Sequence, residues 1–318
     1  MQKSADRNIN RYRIRFLGPE LKFRIRKATT YALSQILSGA AFVFSPIIPW
    51  RWIRLDRPIF IIGCSRSGTT VFVDMFREHD DVAEWSEAGG IFEPRYFNPE
   101  IDHVKNASDA SPLHRRRLLL AFGMFARSHG GKRFLNKHPQ NSLRLGYLNA
   151  IFPDAKYVHV IREGCATACS NEAQVRRDSY RQRIPFGNFP KPPGWRALLA
   201  LPRLLQFGHQ WQEVILEIRR SVKELSLQSD YVEVKYEDFC RDPHGTLRRL
   251  DDVCGLDPTR RRFAGIADTL SARSADWRRE LNPDEVRALE ELCDPLDASL
   301  GYSDSRRQRA PSAVPHSV

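Results

Sequence analysis

The segment Gly63-Cys64-Ser65-Arg66-Ser67-Gly68-Thr69-Thr70 sets two glycines five positions apart, with an arginine between them and two hydroxyl residues after them. Glycines let successive backbone N–H groups converge on an anion, and a helix starting at Thr69 adds the positive end of its dipole. The chemistry on offer is phosphate binding. Arg66 adds a guanidinium that can meet two oxygens at once. Two more cations end short apolar runs: Lys137 closes Arg133–Lys137, and Arg162 follows Lys156–Ile161. Ser170 lies eight residues beyond Arg162.

The glycine spacing matches the nucleotide phosphate loop as far as Gly68, but Thr69 stands where that loop has its lysine. An NTPase also needs a carboxylate at the tip of a neighbouring strand to hold Mg²⁺. Here the run KYVHVI ends in Arg162, with Glu163 only after it. The expectation is a phosphate site that uses arginine and no metal.

Four separate segments together resemble the sulfotransferase family that uses 3′-phosphoadenosine-5′-phosphosulfate. GCSRSGTT looks like the family's 5′-phosphosulfate loop, in the Arg-Ser-Gly-Thr-Thr form found in carbohydrate and protein-tyrosine sulfotransferases. YVHVIREGCATACS resembles the 3′-phosphate segment, FLNKHPQ the Lys-x-Pro segment, and VKYEDFCRDP the Tyr-Glu-Asp strand end. The resemblance runs from about Pro58 to Tyr302. One departure is Arg162-Glu163-Gly164, where the family often has Arg-Asp-Pro.

What the resemblance implies is a sulfuryl transfer to an acceptor hydroxyl, probed residue by residue. Cys64, Ser65, Arg66, Ser67, Gly68, Thr69 and Thr70 would bind the 5′ side of the donor, and Arg162 and Ser170 its 3′-phosphate. Lys137 would stabilise the sulfuryl oxygens as charge moves. Tyr236 and the stretch Ser271–Trp277 would close over the nucleotide. A general base is also needed. Glu87 lies at the family's distance from Arg66, with Glu84 and Glu93 as nearby carboxylates. His138, between Lys137 and Pro139, is the rival, since a cation beside an imidazole lowers its pKa. A base of the Glu type points toward carbohydrate, glycolipid or other lipid-linked acceptors.

These residues need a scaffold that brings them together. Pro58–Ile62, Lys156–Ile161 and Tyr231–Lys235 read as buried parallel strands, with Arg133–Lys137 as a fourth. Helical spacing covers Thr69–Glu78, Ser111–Ser128, Asn141–Ile151, Gly164–Gln174 and Leu201–Leu227. Asp242-Pro243 and Asn282-Pro283-Asp284-Glu285 read as helix starts, the second with a capping box. Ile184–Gly194 carries four prolines and two glycines and reads as a loop suited to acceptor selection. Strands alternating with helices predict a three-layer α/β fold: a phosphate-loop-type parallel sheet flanked by helices, in a single domain. Ligands of such sheets bind beyond the carboxyl ends of the strands.

The bulk numbers agree. With 50 Lys and Arg against 38 Asp and Glu, the net charge is +12, which favours an anionic partner. The six cysteines form no C-x-x-C pair and no disulfide framework, so a reducing, cytoplasmic setting is expected. Residues 1–55 form a basic and apolar extension; Tyr31–Trp50 is apolar but broken by polar and proline residues, and reads as an interfacial segment for peripheral membrane association rather than a span. Residues 56–302 form the catalytic domain and 303–318 a disordered tail. A kinase or NTPase is the first alternative and a non-catalytic binder of membrane or nucleic acid the second. No nucleic-acid motif supports a nucleic-acid partner, and the oligomeric state is not written in the sequence.

Overall fold

The structure is a computed structural model, and it describes residues 54–87, 89–92, 100–263, 266–270 and 277–302, with isolated positions between 36 and 49. The expected N-terminal extension, Glu93, the stretch 271–276 and the tail 303–318 lie wholly or almost wholly outside the described residues. Among the described residues, no helix is long and apolar enough to cross a membrane.

Five strands form the sheet: β1 (Ile59–Ile62), β2 (Val82–Glu84), β3 (Arg133–Lys137), β4 (Lys156–Ile161) and β5 (Tyr231–Lys235). The helices used below are α1 (Thr69–Arg77), α2 (Gly89–Phe92), α3 (Pro112–Ser128), α4 (Leu145–Ile151), α5 (Gly164–Arg176), α6 (Trp195–Leu198), α7 (Arg203–Glu224), α8 (Tyr236–Arg241), α9 (Pro243–Cys254) and α10 (Pro283–Ser299). The strand order is β2-β3-β1-β4-β5 and every pairing is parallel. The three-layer α/β expectation is met.

The layers follow from strand alternation. Ile59 and Ile61 of β1 face one side with Val158 and Val160, where Phe72 and Phe76 of α1 and Leu247 and Leu250 of α9 cover them. Phe60 and Ile62 face the other, with Phe134 and Tyr157, beneath α3, α4, α5, α7 and α10. All four β1 side chains are at most 1% exposed. Each contributes roughly 1.5–3 kcal/mol by burial, so the central strand is fixed from both faces.

Local chemistry sets the ends of the elements. Ser111 caps α3 by accepting from the His114 N–H, and Asp242 caps α9 by accepting from the Gly245 N–H. Asn282 and Glu285 form the expected capping box of α10. Two readings change. The helix expected over Asn141–Ile151 is a 3-10 turn, Pro139–Leu143, followed by α4. Arg144 breaks it: its buried guanidinium donates to the His103 carbonyl at 2.9 Å and to Gln140 at 3.0 Å, and its backbone turns out of the helix at φ −140°. Strand β2 is additional; three residues are too few to show alternation. The proline-rich stretch is irregular as expected, apart from a short 3-10 turn at Pro185–Asn188. All six cysteines are buried, and none forms a disulfide.

Candidate active site

The crossings leaving β1 and β4 run to opposite ends of the sheet, so the crevice between their carboxyl ends is the topological switch point. Register places Ile61 opposite Lys137 and Ile161 opposite Lys235. The phosphate loop, His138, Arg162 and Tyr236 therefore leave the sheet along one rim.

Gly63 opens the loop at φ +140°, and a Cβ there would lie 2.3 Å from the Val160 carbonyl oxygen. Gly68 closes it at φ +96°, and a Cβ there would lie 2.4 Å from the Tyr236 ring. Both positions therefore require glycine. Arg66 sits between them at φ +70°, a left-handed conformation costing an ordinary residue about 1–2 kcal/mol. Non-glycine strain of this kind clusters at functional sites. The first α1 bonds run from Val71 and Phe72 to the Gly68 carbonyl. The N–H groups of Thr69 and Thr70, ahead of these bonds at the helix start, thus have no acceptor within the helix. Ser65 is buried, and its hydroxyl has no hydrogen-bond partner among the described residues. An anion seated in the loop would meet these donors.

The arginine side brings together four of the expected residues. Arg66 Nε donates to Ser170 Oγ at 3.2 Å. Arg162 Nη1 donates to the Arg66 carbonyl at 2.9 Å, and its guanidinium lies 5.3 Å from the centre of the Tyr236 ring. Arg162 is 7% exposed, whereas Arg66 faces solvent. Cys64 differs from the others: its thiol points inward, 3.8 Å from Gln210 Oε1, and burial pushes its pKa up to about 12. Only its main chain is available to a ligand. Trp277 is buried in the core.

The second cluster lies beyond β3. Glu87 donates its N–H to the Lys137 carbonyl at 2.8 Å, and Lys137 Nζ donates to Glu87 Oε1 at 3.0 Å. The lysine side chain is 5% exposed and the glutamate 55%. Glu87, at φ +56°, is a second strained residue of the site. His138 is 2% exposed and lies parallel to Phe92 at 6.1 Å. Burial, followed by the Arg144 charge, draws its pKa down to about 3. The lowered pKa expected of His138 is found, with burial rather than the neighbouring lysine as its main cause. Glu84 is turned away, paired with Arg77 at 2.7 Å.

Several positioning residues had no signal in the sequence. Ser142 accepts from the Gly63 N–H and donates to the Gly63 carbonyl, both at 2.9 Å. Asn171 donates to the Ser65 carbonyl at 3.1 Å. Asn136 donates to the Trp85 carbonyl at 2.5 Å and accepts from Asn141 at 2.9 Å, which fixes the chain two residues before Glu87. Asp297, buried, accepts from the Gly164 N–H at 3.1 and 3.2 Å and caps the helix that carries Ser170. Burial, reinforced by Glu163 and Glu237, raises its pKa to about 8. Apart from the Asn141–Asn136 bond, each contact spans 51 residues or more and leaves no local pattern.

Comparison with known proteins gives consistent results. The sequence is 23% identical over 287 residues to the nodulation protein NoeE of Sinorhizobium fredii, covering 77% of this chain and 66% of that protein. It is 37% identical over 93 residues to carbohydrate sulfotransferase 2 of Mus musculus, covering 24% and 18%. It is 32% identical over 123 residues to protein-tyrosine sulfotransferase A of Caenorhabditis elegans, covering 35% and 32%. The chain thus spans 66% or less of the length of these curated relatives. The fold is shared with a sulfotransferase of Mycobacterium avium, with a TM-score of 0.53 and 14% identity over 89% of this chain and 86% of that one. It is shared also with a sulfotransferase of Alicyclobacillus acidocaldarius, with a TM-score of 0.50 and 17% identity over 78% and 97%. The model of the sulfotransferase family matches residues 58–260, more than half of the sequence and the whole of the rim just described, and the chain belongs to that family.

Proposed function

We propose that this protein transfers a sulfuryl group from 3′-phosphoadenosine-5′-phosphosulfate to the hydroxyl of a carbohydrate, glycolipid or other lipid-linked acceptor. The observation that carries this reading is the pairing, on one sheet rim, of a lysine-free phosphate loop tied to Arg162 and Ser170 with the Lys137–Glu87 pair. In the reaction the acceptor oxygen bonds to sulfur while the bond from sulfur to the 5′-phosphate oxygen breaks. The acceptor proton passes to Glu87. The leaving phosphate takes the bonding electrons, and Arg66 with the N–H groups at the start of α1 balances its charge. Lys137 stabilises the sulfuryl oxygens, while Arg162 and Ser170 hold the 3′-phosphate. Tyr236, packed on Gly68 and beneath Arg162, shapes the same pocket. Burial and the Arg144 charge lower the basicity of His138, which favours Glu87 over it as the base. The carbohydrate preference draws on the partial match to carbohydrate sulfotransferase 2 and on the glutamate base.

Calorimetric titration with 3′-phosphoadenosine-5′-phosphate in metal-free buffer tests the donor site. Micromolar binding, about −8 kcal/mol, is expected. Arg66→Ala should weaken it about 10- to 100-fold, the loss of a charge-assisted contact. No binding by the wild type, with ATP and Mg²⁺ binding instead, would sink the reading in favour of a kinase.

A further inference from the structure

The connector between α5 and α7, with the helix ends that flank it, is strongly charge-biased. Residues 176–203 contain seven Arg and Lys and the single carboxylate Asp178, a net +6 that is half of the whole chain's +12. Internal pairing does not account for this excess. Arg176 pairs with Glu172 at 2.6 Å, Arg181 with Asp178 at 3.5 Å, and Arg196 with Asp102 at 3.1 Å. Lys191 is buried, 4.8 Å from the Trp195 ring centre. Arg177, Arg183 and Arg203 remain; all three are exposed, and among the described residues no carboxylate pairs with them. Arg203 is also the first residue of α7, the end where the helix dipole disfavours a cation and favours an anion.

The connector is latched to both halves of the site. Gln210 reaches the Cys64 thiol in the phosphate loop and donates to the Pro190 carbonyl in the connector. His103 accepts from the Lys191 N–H at 3.0 Å and lies 2.9 Å from Gln140, three residues beyond Lys137. The turn between is fixed as well: Gly187 adopts φ +59°, and a Cβ there would lie 2.4 Å from Val175. These contacts tie residues 187–191 of the connector to elements that carry the site, and a cationic surface on such a segment raises the local concentration of anionic substrates.

We propose that this connector binds an acceptor which carries, besides its reacting hydroxyl, an anionic group of the carboxylate, phosphate or sulfate type, with Arg177 and Arg183 as its principal contacts. The inference rests on the transfer reading above and names the class of acceptor. Its test uses the protein loaded with 3′-phosphoadenosine-5′-phosphate and titrated with nitrophenyl glucuronide and nitrophenyl glucoside, which differ by one carboxylate. The glucuronide should bind about tenfold tighter, an advantage that shrinks as salt is added. Paired substitution Arg177→Glu and Arg183→Glu should abolish the advantage and leave nucleotide affinity within about twofold. Equal affinity for the two sugars, or an advantage that survives the paired substitution, overturns the proposal. So does loss of sedimentation with phosphatidylserine vesicles in the paired variant without any discrimination between the sugars, which would reassign the surface to an anionic membrane. Failure of the wild type to bind nucleotide strikes the donor reading instead, and the two failures are told apart in the same titration.

Discussion

The two halves of the rim are built by different means. Around the phosphate loop the main chain decides: Gly63 and Gly68 are forced by the Val160 carbonyl and the Tyr236 ring, and the Arg66 carbonyl is itself a ligand of Arg162. Around Lys137 side chains decide: one ion pair, two asparagines and a cationic connector fix what the backbone leaves open. An anion cradle common to many acceptors can be rigid backbone. On the proposed function, the Lys137 half meets the acceptor and has to be adjustable by single substitutions.

That contrast can be broken by experiment. The largest effect is expected from Glu87→Gln, which keeps the shape and removes the proposed base. Turnover should fall about 10²- to 10⁴-fold with donor affinity nearly unchanged, measured with labelled donor and by calorimetry. An unchanged rate would mean that the side-chain half holds no base. Next comes Gly63→Ala, which acts on the backbone half. The left-handed angle and the clash with Val160 should cost about 3 kcal/mol in denaturant unfolding. A variant of wild-type stability would mean that the loop is not dictated by its main chain.

The smallest effect concerns Asp297, an electrostatic support of the donor half. Its folded-state pKa, about 8, lies above the ordinary carboxylate value. Stability from the protonated form is therefore complete below about pH 4 and is lost as pH rises toward 8, because the unfolded chain ionises first. Relative to Asp297→Asn, the wild type should lose about 2 kcal/mol between about pH 5.5 and pH 7. Parallel pH profiles for the two proteins would show that the α5 cap carries no retained proton.

The same division explains what could be read from the residues alone. The loop, Arg162, Lys137 and the four longer strands are legible because each is a short local pattern imposed by backbone geometry. Glu87 is legible only through resemblance, and its double attachment to Lys137 only in three dimensions. Ser142, Asn136, Gln210 and Asp297 are ordinary polar residues whose roles come from partners far away in sequence. The pKa of His138 shows the limit in another way: a neighbouring lysine predicts a lowered value, but the depth of burial sets how far it falls.

All six cysteines lie inside the protein, and burial raises the pKa of Cys64, Cys169 and Cys254 to about 12. Thiol reagents that attack thiolates will find little to react with in the native fold. The molecule therefore arrives as a silent background for labelling. A cysteine placed on the connector, at Ser179 for instance, would take up a fluorophore or spin label selectively. Docking of an acceptor could then be watched directly, without removing any native thiol.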